Sequence, residues 1–147
     1  MKLFIIAIGH KMPGWVDTAI QDYSKRMPKD LPIIIKELKP EITPAKEAIK
    51  VQEILPKNAL VVALDERGQD LTTTQMSQHI ANWQQLGKDV YFVIGGADGL
   101  EPTFKSACDK MWRLSSLTLP HAFARLFLVE QLYRSWTILQ NHPYHRE

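Results

Sequence analysis

Val90-Tyr91-Phe92-Val93-Ile94-Gly95-Gly96 sets five apolar side chains in a row and then stops them with a glycine pair. So short a run cannot hold a helix on its own, and its β-branched and aromatic residues favour a strand. With no polar residue at alternate positions, neither face of that strand can meet water. Strands covered on both faces belong to parallel sheets sandwiched between helices. Working outward, residues 60–64, Ile33–Leu38 and Leu3–Ile8 are short apolar-rich runs, each bounded by Gly, Pro, Asp or Lys. Between the runs, residues 15–26, 45–55, 74–86 and 103–111 carry apolar side chains at helical spacing. A fifth strand is expected over residues 112–119, after which Pro120 and His121 open a last helix reaching Gln140. This alternation predicts the α/β class, a mostly parallel sheet with flanking helices, in a single domain over residues 1–147.

A chain of 147 residues can bury a core without a metal or a disulfide to staple it. Its one cysteine, Cys108, has no partner for an internal bridge, which fits a reducing compartment. The apolar runs fall far short of the roughly 18 to 20 residues that cross a bilayer. The first of them ends in Gly9-His10-Lys11 without a small-residue cleavage pattern, so no signal peptide and no membrane association are expected, and the chain reads as cytoplasmic. Eighteen basic against sixteen acidic side chains leave a net charge of +2. The sequence pI of 8.7 lies under the level of about 9 that marks a dedicated nucleic-acid binder, so an RNA partner would have to be held by local geometry. The stretch Lys39-Pro40-Glu41-Ile42-Thr43-Pro44 is the best linker candidate and is too short to divide the chain.

The last helix is apolar beyond one face. Ala122, Leu126, Val129, Tyr133 and Trp136 form a stripe, and Phe123, Phe127, Leu132 and Leu139 widen it. Such width implies burial against more than the helix's own sheet, either in a second copy of the chain or wholly within one domain.

In open α/β sheets ligands bind beyond the carboxyl ends of the strands. There stand Asp65-Glu66-Arg67-Gly68, then Gly95-Gly96-Ala97-Asp98-Gly99, then Leu114-Ser115-Ser116-Leu117-Thr118-Leu119-Pro120-His121. Three of the seven glycines fall within five residues, where a missing Cβ lets a flat ligand lie against peptide groups. That suits a nucleoside pocket, though a plain tight turn would use the same residues. The dinucleotide signature G-x-G-x-x-G is absent, and Trp15 stands where a P-loop lysine would follow Gly9 and Gly14. His121, His142 and His145 lack the neighbouring ligands a zinc site needs, so no metal is expected. Cys108 reads as a small packed side chain, and Lys11, Lys25, Arg26, Lys29 and Arg125 read as phosphate contacts or solvated surface. The closing segment Asn141-His142-Pro143-Tyr144-His145-Arg146-Glu147 offers two imidazoles, a phenol and a guanidinium where a disposable tail would be small and flexible. Either these groups do chemistry or Pro143 and Tyr144 merely dock the tail.

Taken in order, Leu64-Asp65-Glu66-Arg67-Gly68, Ile94-Gly95-Gly96-x-x-Gly99, Leu114-Ser115-x-x-Thr118-Leu119-Pro120-His121, Arg125, Glu130-Gln131-x-Tyr133-Arg134 and the closing Asn141-His142-Pro143-Tyr144-His145-Arg146 resemble the RlmH family of the SPOUT methyltransferases. The resemblance runs from Lys2-Leu3 through Lys11-Met12-Pro13 to the last residue. Ser135, where an alanine is common, and Ala122-Phe123-Ala124 are the departures. The resemblance implies a homodimer, a C-terminal trefoil knot and S-adenosylmethionine as methyl donor. The acceptor it implies is N3 of pseudouridine 1915, in the helix 69 loop of large-subunit ribosomal RNA within the assembled ribosome. It also implies that Leu64, Asp65, Gly95, Gly96, Gly99, Leu114, Ser115, Ser116, Leu117, Thr118 and Leu119 hold the cofactor. Arg134, His142, Tyr144, His145 and Arg146 are then the candidates for proton removal and charge stabilisation. A non-catalytic ribosome- or RNA-binding module of the same fold is the alternative.

Overall fold

The computed structural model describes residues 1–146. The apolar runs are strands β1 (Leu3–Ile8), β2 (Ile33–Leu38), β3 (Leu60–Asp70) and β4 (Val90–Ile94), followed by a short β5 (Lys110–Arg113). Helices α1 (Gly14–Arg26), α2 (Pro44–Ile54), α3 (Thr73–Leu86), α4 (Pro102–Ala107) and α5 (His121–Leu139) alternate with them. The strands form one sheet in the order β2-β1-β4-β3-β5, and every pair is parallel.

Two dry faces explain the unbroken apolar runs, because successive side chains of a strand point to opposite sides. Leu3 and Ile5 of β1, Val62 and Leu64 of β3, and Phe92 and Ile94 of β4 enter a core shared with α1, α3 and α5. Phe4, Ile6, Val61, Ala63, Tyr91 and Val93 enter the opposite core, against Val51 of α2 and Phe104 of α4. The helices are held at their ends by local chemistry. Thr72 and Gln75 form a reciprocal capping box on α3, which stops at Gly87 with φ of 64°. Glu101 caps α4 by accepting from the N–H groups of Thr103 and Phe104.

Three expectations need correction. The fifth strand is Lys110–Arg113 and not residues 112–119. Its start is fixed by Asp109, whose carboxylate accepts the Val61 N–H at 2.8 Å and whose own N–H reaches the Val61 carbonyl. Past Arg113, the Ser115 hydroxyl takes the Leu117 N–H at 2.9 Å, a local turn that competes with a sheet ladder. Helix α4 ends at Ala107 and not at 111, since Cys108 is already extended. Strand β3 runs on to Asp70: Trp112 of β5 pairs with both Leu64 and Gln69, so the four residues between them bulge out of the ladder.

The chain must then cross the sheet's carboxyl edge. Strand β5 lies at the margin beside β3, yet His121 at the start of α5 abuts Gly9 at the end of β1. Residues 114–120 therefore pass over the ends of β3 and β4, and α5 comes to pack against both α1 and α3. Among the described residues, no helix is long and apolar enough to cross a membrane.

Candidate functional site

The carboxyl ends of β1, β4 and β3, adjacent in the sheet, open into a cavity of about 930 Å³. Leu64, Ile94, Leu100 and Leu119 give it apolar walls, and Gly95, Gly96 and Gly99 bring backbone to its surface. The glycines are there for identifiable reasons. A Cβ on Gly95 would come within 2.9 Å of the Gly99 carbonyl carbon. One on Gly96 would come 3.2 Å from the carboxylate of Glu47, which is buried and accepts the Glu41 N–H at 3.0 Å. Gly99 has φ of 77°, and a Cβ there would meet nothing within 4 Å. The turn is thus packed tightly behind and left open in front.

At the cavity wall Asp65 accepts from the Lys105 ammonium at 3.0 Å, and its other oxygen accepts the Arg67 N–H at 2.9 Å. Burial pushes its carboxyl upward, but the Arg67 N–H and the Lys105 cation more than offset this and hold it below the usual carboxylate value. This wall therefore stays ionised yet neutral as a pair.

Of the expected cofactor residues, Leu64, Asp65, Gly95, Gly96, Gly99 and Leu119 line this one cavity. The rest of the 114–119 stretch does not line it: Leu114 packs against the core, Ser115 holds its own turn, and Ser116, Leu117 and Thr118 are exposed. Residues assigned no cofactor role from the sequence also face it, among them His10, Met12, Lys105 and His121. His121 had a signal in its place just after Pro120, at the first position of a helix. Lys105 had none, since its partner lies forty residues away in the chain.

The expected catalytic residues gather elsewhere. Arg134 is held by Glu130 at 2.9 Å, lies with its guanidinium 4.8 Å from the centre of the Tyr144 ring, and comes within 3.5 Å of His145 Nδ1. The Tyr144 hydroxyl donates to that of Tyr23 at 3.1 Å, and its ring packs edge-on against Tyr133. Burial and this bond to Tyr23 push the Tyr144 phenol up to about 12. His142 Nδ1 accepts the Tyr144 N–H at 3.1 Å, and Arg146 is exposed. Arg134 stands thirteen residues beyond His121 on α5, so about 20 Å of helix separates this cluster from the cavity in the same chain. Arg125, read as a phosphate contact or solvated surface, is neither at the surface nor solvated: it is 2% exposed and bonded to Glu37 at 2.5 Å. Among the described residues, no group of three His, Cys, Asp or Glu side chains is placed to hold a metal ion.

A family model described as "Predicted SPOUT methyltransferase" matches residues 1–145. A ribosomal RNA large subunit methyltransferase H of Polynucleobacter asymbioticus is 62% identical over 147 residues, covering all of both chains. The protein of that name from Burkholderia ambifaria is 54% identical, with 99% of each chain covered. A methylase-family protein from Neisseria gonorrhoeae superposes with a TM-score of 0.59 at 16% identity, covering 99% of this chain and 86% of that one. That last likeness concerns the fold alone. The match along nearly the whole length and the identity to relatives of equal extent decide the question: the chain belongs to the SPOUT methyltransferases and, within them, to the ribosomal RNA large subunit methyltransferase H family.

Proposed function

We propose that this protein is an S-adenosylmethionine-dependent methyltransferase that modifies large-subunit ribosomal RNA at N3 of pseudouridine 1915, in the helix 69 loop of the assembled ribosome. The observation that carries the reading is the cavity itself, in which six of the residues expected to hold the cofactor meet at the carboxyl ends of three neighbouring strands. Its volume of about 930 Å³ suits a nucleoside with an amino-acid arm. Its apolar walls suit an adenine face, and the open front of Gly99 leaves room for a ligand against the backbone. Leu64, Asp65 and the three glycines would hold the nucleoside. Leu119 would add apolar contact, and the exposed Ser116, Leu117 and Thr118, in a stretch not committed to the sheet, would have to move to reach the ligand. We take residues 1–147 as one catalytic domain and the passage of 114–120 over β3 and β4 as part of a trefoil knot.

S-adenosylmethionine, when bound, supplies a methyl group on a positively charged sulfur. The chain's own task is to align the acceptor and ready it, because the N3 of a pseudouridine is a protonated imide nitrogen and a poor nucleophile at neutral pH. His142 or His145 takes that proton, and Arg134 or Arg146 holds the negative charge on the flanking carbonyl oxygens. Tyr144 is placed as a brace for Arg134. With its phenol pushed up to about 12, it keeps its proton at neutral pH.

Within one chain these groups and the cavity lie at opposite ends of α5, so a complete site requires the tail of a second copy. The exposed Phe123 and Phe127 of α5 and Trp15 of α1, which touches Phe123 edge-on, offer that copy an apolar surface. A net charge of +2 gives little grip on naked RNA, so a shaped ribosomal target is required. Calorimetry with S-adenosylmethionine tests the enzyme reading against a binding module of the same fold, which would take up none. Mass analysis of large-subunit RNA from cells lacking the protein should show one methyl group missing from one nucleotide. Efficient methylation of a bare helix 69 hairpin would refute the requirement for the ribosome.

A further inference from the structure

The His121 imidazole fills the space left by the missing side chain of Gly9, where an added Cβ would stand 3.0 Å from Nε2. The same Nε2 lies 3.1 Å from Nη2 of Arg125, and the ring also lies beside the backbone of Gly95, which favours its protonated form. One side chain thus touches the turns that follow β1 and β4, both of which line the cavity. Arg125 is buried and does not line the cavity; its Nη1 reaches Glu37 on β2.

These partners fix the state of the ring. A guanidinium can only donate, so Nε2 must present a lone pair. The single proton of a neutral ring must then sit on Nδ1. Only that neutral tautomer suits Arg125. A second proton would remove the acceptor and place two cations side by side. The charged groups around the ring are Arg125 on its own helix and Glu37 from β2; His10 and the Asp65–Lys105 pair line the same cavity. Glu37 favours the protonated ring, but burial and Arg125 outweigh it and draw the His121 pKa below its ordinary 6.5.

We propose that His121 is a positioning residue for the cofactor, clamping the Gly9 and Gly95 turns at a fixed separation, with Arg125 selecting the tautomer that can do so. The inference rests on the cofactor reading above and adds to it a pH dependence carried by one side chain. With the pKa of the folded protein below 6.5, the clamp is intact above that pH and is lost as the ring takes up its proton in more acidic solution.

The test is calorimetric titration of S-adenosylmethionine into the wild type, His121→Gln and His121→Ala between pH 8 and pH 5, with a urea melt of each. Wild-type affinity should hold above neutrality and weaken progressively as the pH falls below 6.5. Gln can accept from Arg125 without titrating, so His121→Gln should bind within about threefold of wild type at pH 8 and show a flat profile. His121→Ala, still folded, should lose about tenfold at pH 8. A wild-type pH profile in His121→Gln would overturn the proposal, as would unchanged binding by His121→Ala. If His121→Ala does not fold, the His121→Gln profile decides alone. A wild type that binds no S-adenosylmethionine at all would instead defeat the cofactor reading, and this inference with it.

Discussion

At the scale of single residues, two side chains sit where their chemistry has no use for its surroundings. Ser135 is fully buried in α5, and its hydroxyl has no hydrogen-bond partner among the described residues. A buried hydroxyl left unpaired forfeits its hydration and gains nothing in exchange. Ser135→Ala should raise stability by about 1 kcal/mol, read as a higher urea midpoint with an unchanged slope. Cys108 is the second case. Its thiol lies 3.3 Å from the Phe104 carbonyl, and burial, helped by the neighbouring Asp109, pushes its pKa up from 9.0 to about 11. The thiolate is the reactive form, so native protein at pH 7.5 should react with a disulfide reagent far more slowly than protein in urea. Equal rates would mean that the side chain is open to solvent. Its sign also bears on alkaline stability: the unfolded thiol gives up its proton near pH 9 and the folded one does not, so stability falls as pH rises above that value.

Among the elements, the bulge in β3 shows most plainly what the sequence could and could not convey. Residues 60–64 were legible as a strand because each side chain enters one core or the other, and the following Asp65-Glu66-Arg67-Gly68 was legible as a loop beyond its end. That the chain then rejoins β5 at Gln69 and Asp70 was not legible, because two polar residues carry no alternation. Gly68 makes the return possible: a Cβ there would come 2.5 Å from the Trp112 carbonyl carbon and 2.8 Å from that of Met111. Backbone cannot yield as a flexible side chain would, so Gly68→Ala should cost about 1 to 3 kcal/mol. The damage should centre on β5, seen as faster amide exchange of residues 110–113 than of β1; uniform loss of protection would place the defect elsewhere. The same limit hid the true fifth strand. Leu114-Ser115-Ser116-Leu117-Thr118-Leu119 mixes leucines with small hydroxyl residues as an edge strand could, but the Ser115 hydroxyl captures the Leu117 N–H and the ladder stops at Arg113. The cavity-lining glycines were readable because three of them crowd one strand end; the Asp65–Lys105 pair and the His121–Arg125–Glu37 chain were not, since long-range contacts leave no local pattern.

The whole molecule presents a geometric problem, since the cavity and the Arg134–Tyr144–His145 cluster occupy opposite ends of one rigid helix. Closure within a single chain would require α5 to break, and its buried Leu128, Val129 and Leu132 oppose that. A second copy solves it without any such change if its tail meets the first copy's cavity while the two apolar patches around Phe123 and Phe127 cover one another. Two variants separate the alternatives. Gly95→Trp blocks the cavity and spares the tail, whereas Arg134→Ala disables the tail and spares the cavity, so each alone should be inactive. Mixed after joint refolding, half of the dimers would be heterodimers, and in each of these one site would combine an intact cavity with an intact tail. Activity should then return to about a quarter of wild type. With sites built inside single chains, no mixture could exceed its parents, because every chain would carry its own lesion. A third preparation checks that assembly is the route: Phe123→Glu and Phe127→Glu together place charge on the covering surface and should yield monomers in sedimentation. Such monomers should still bind S-adenosylmethionine through the cavity but fail to transfer its methyl group. Monomers that retain full activity would show that one chain holds everything the reaction needs.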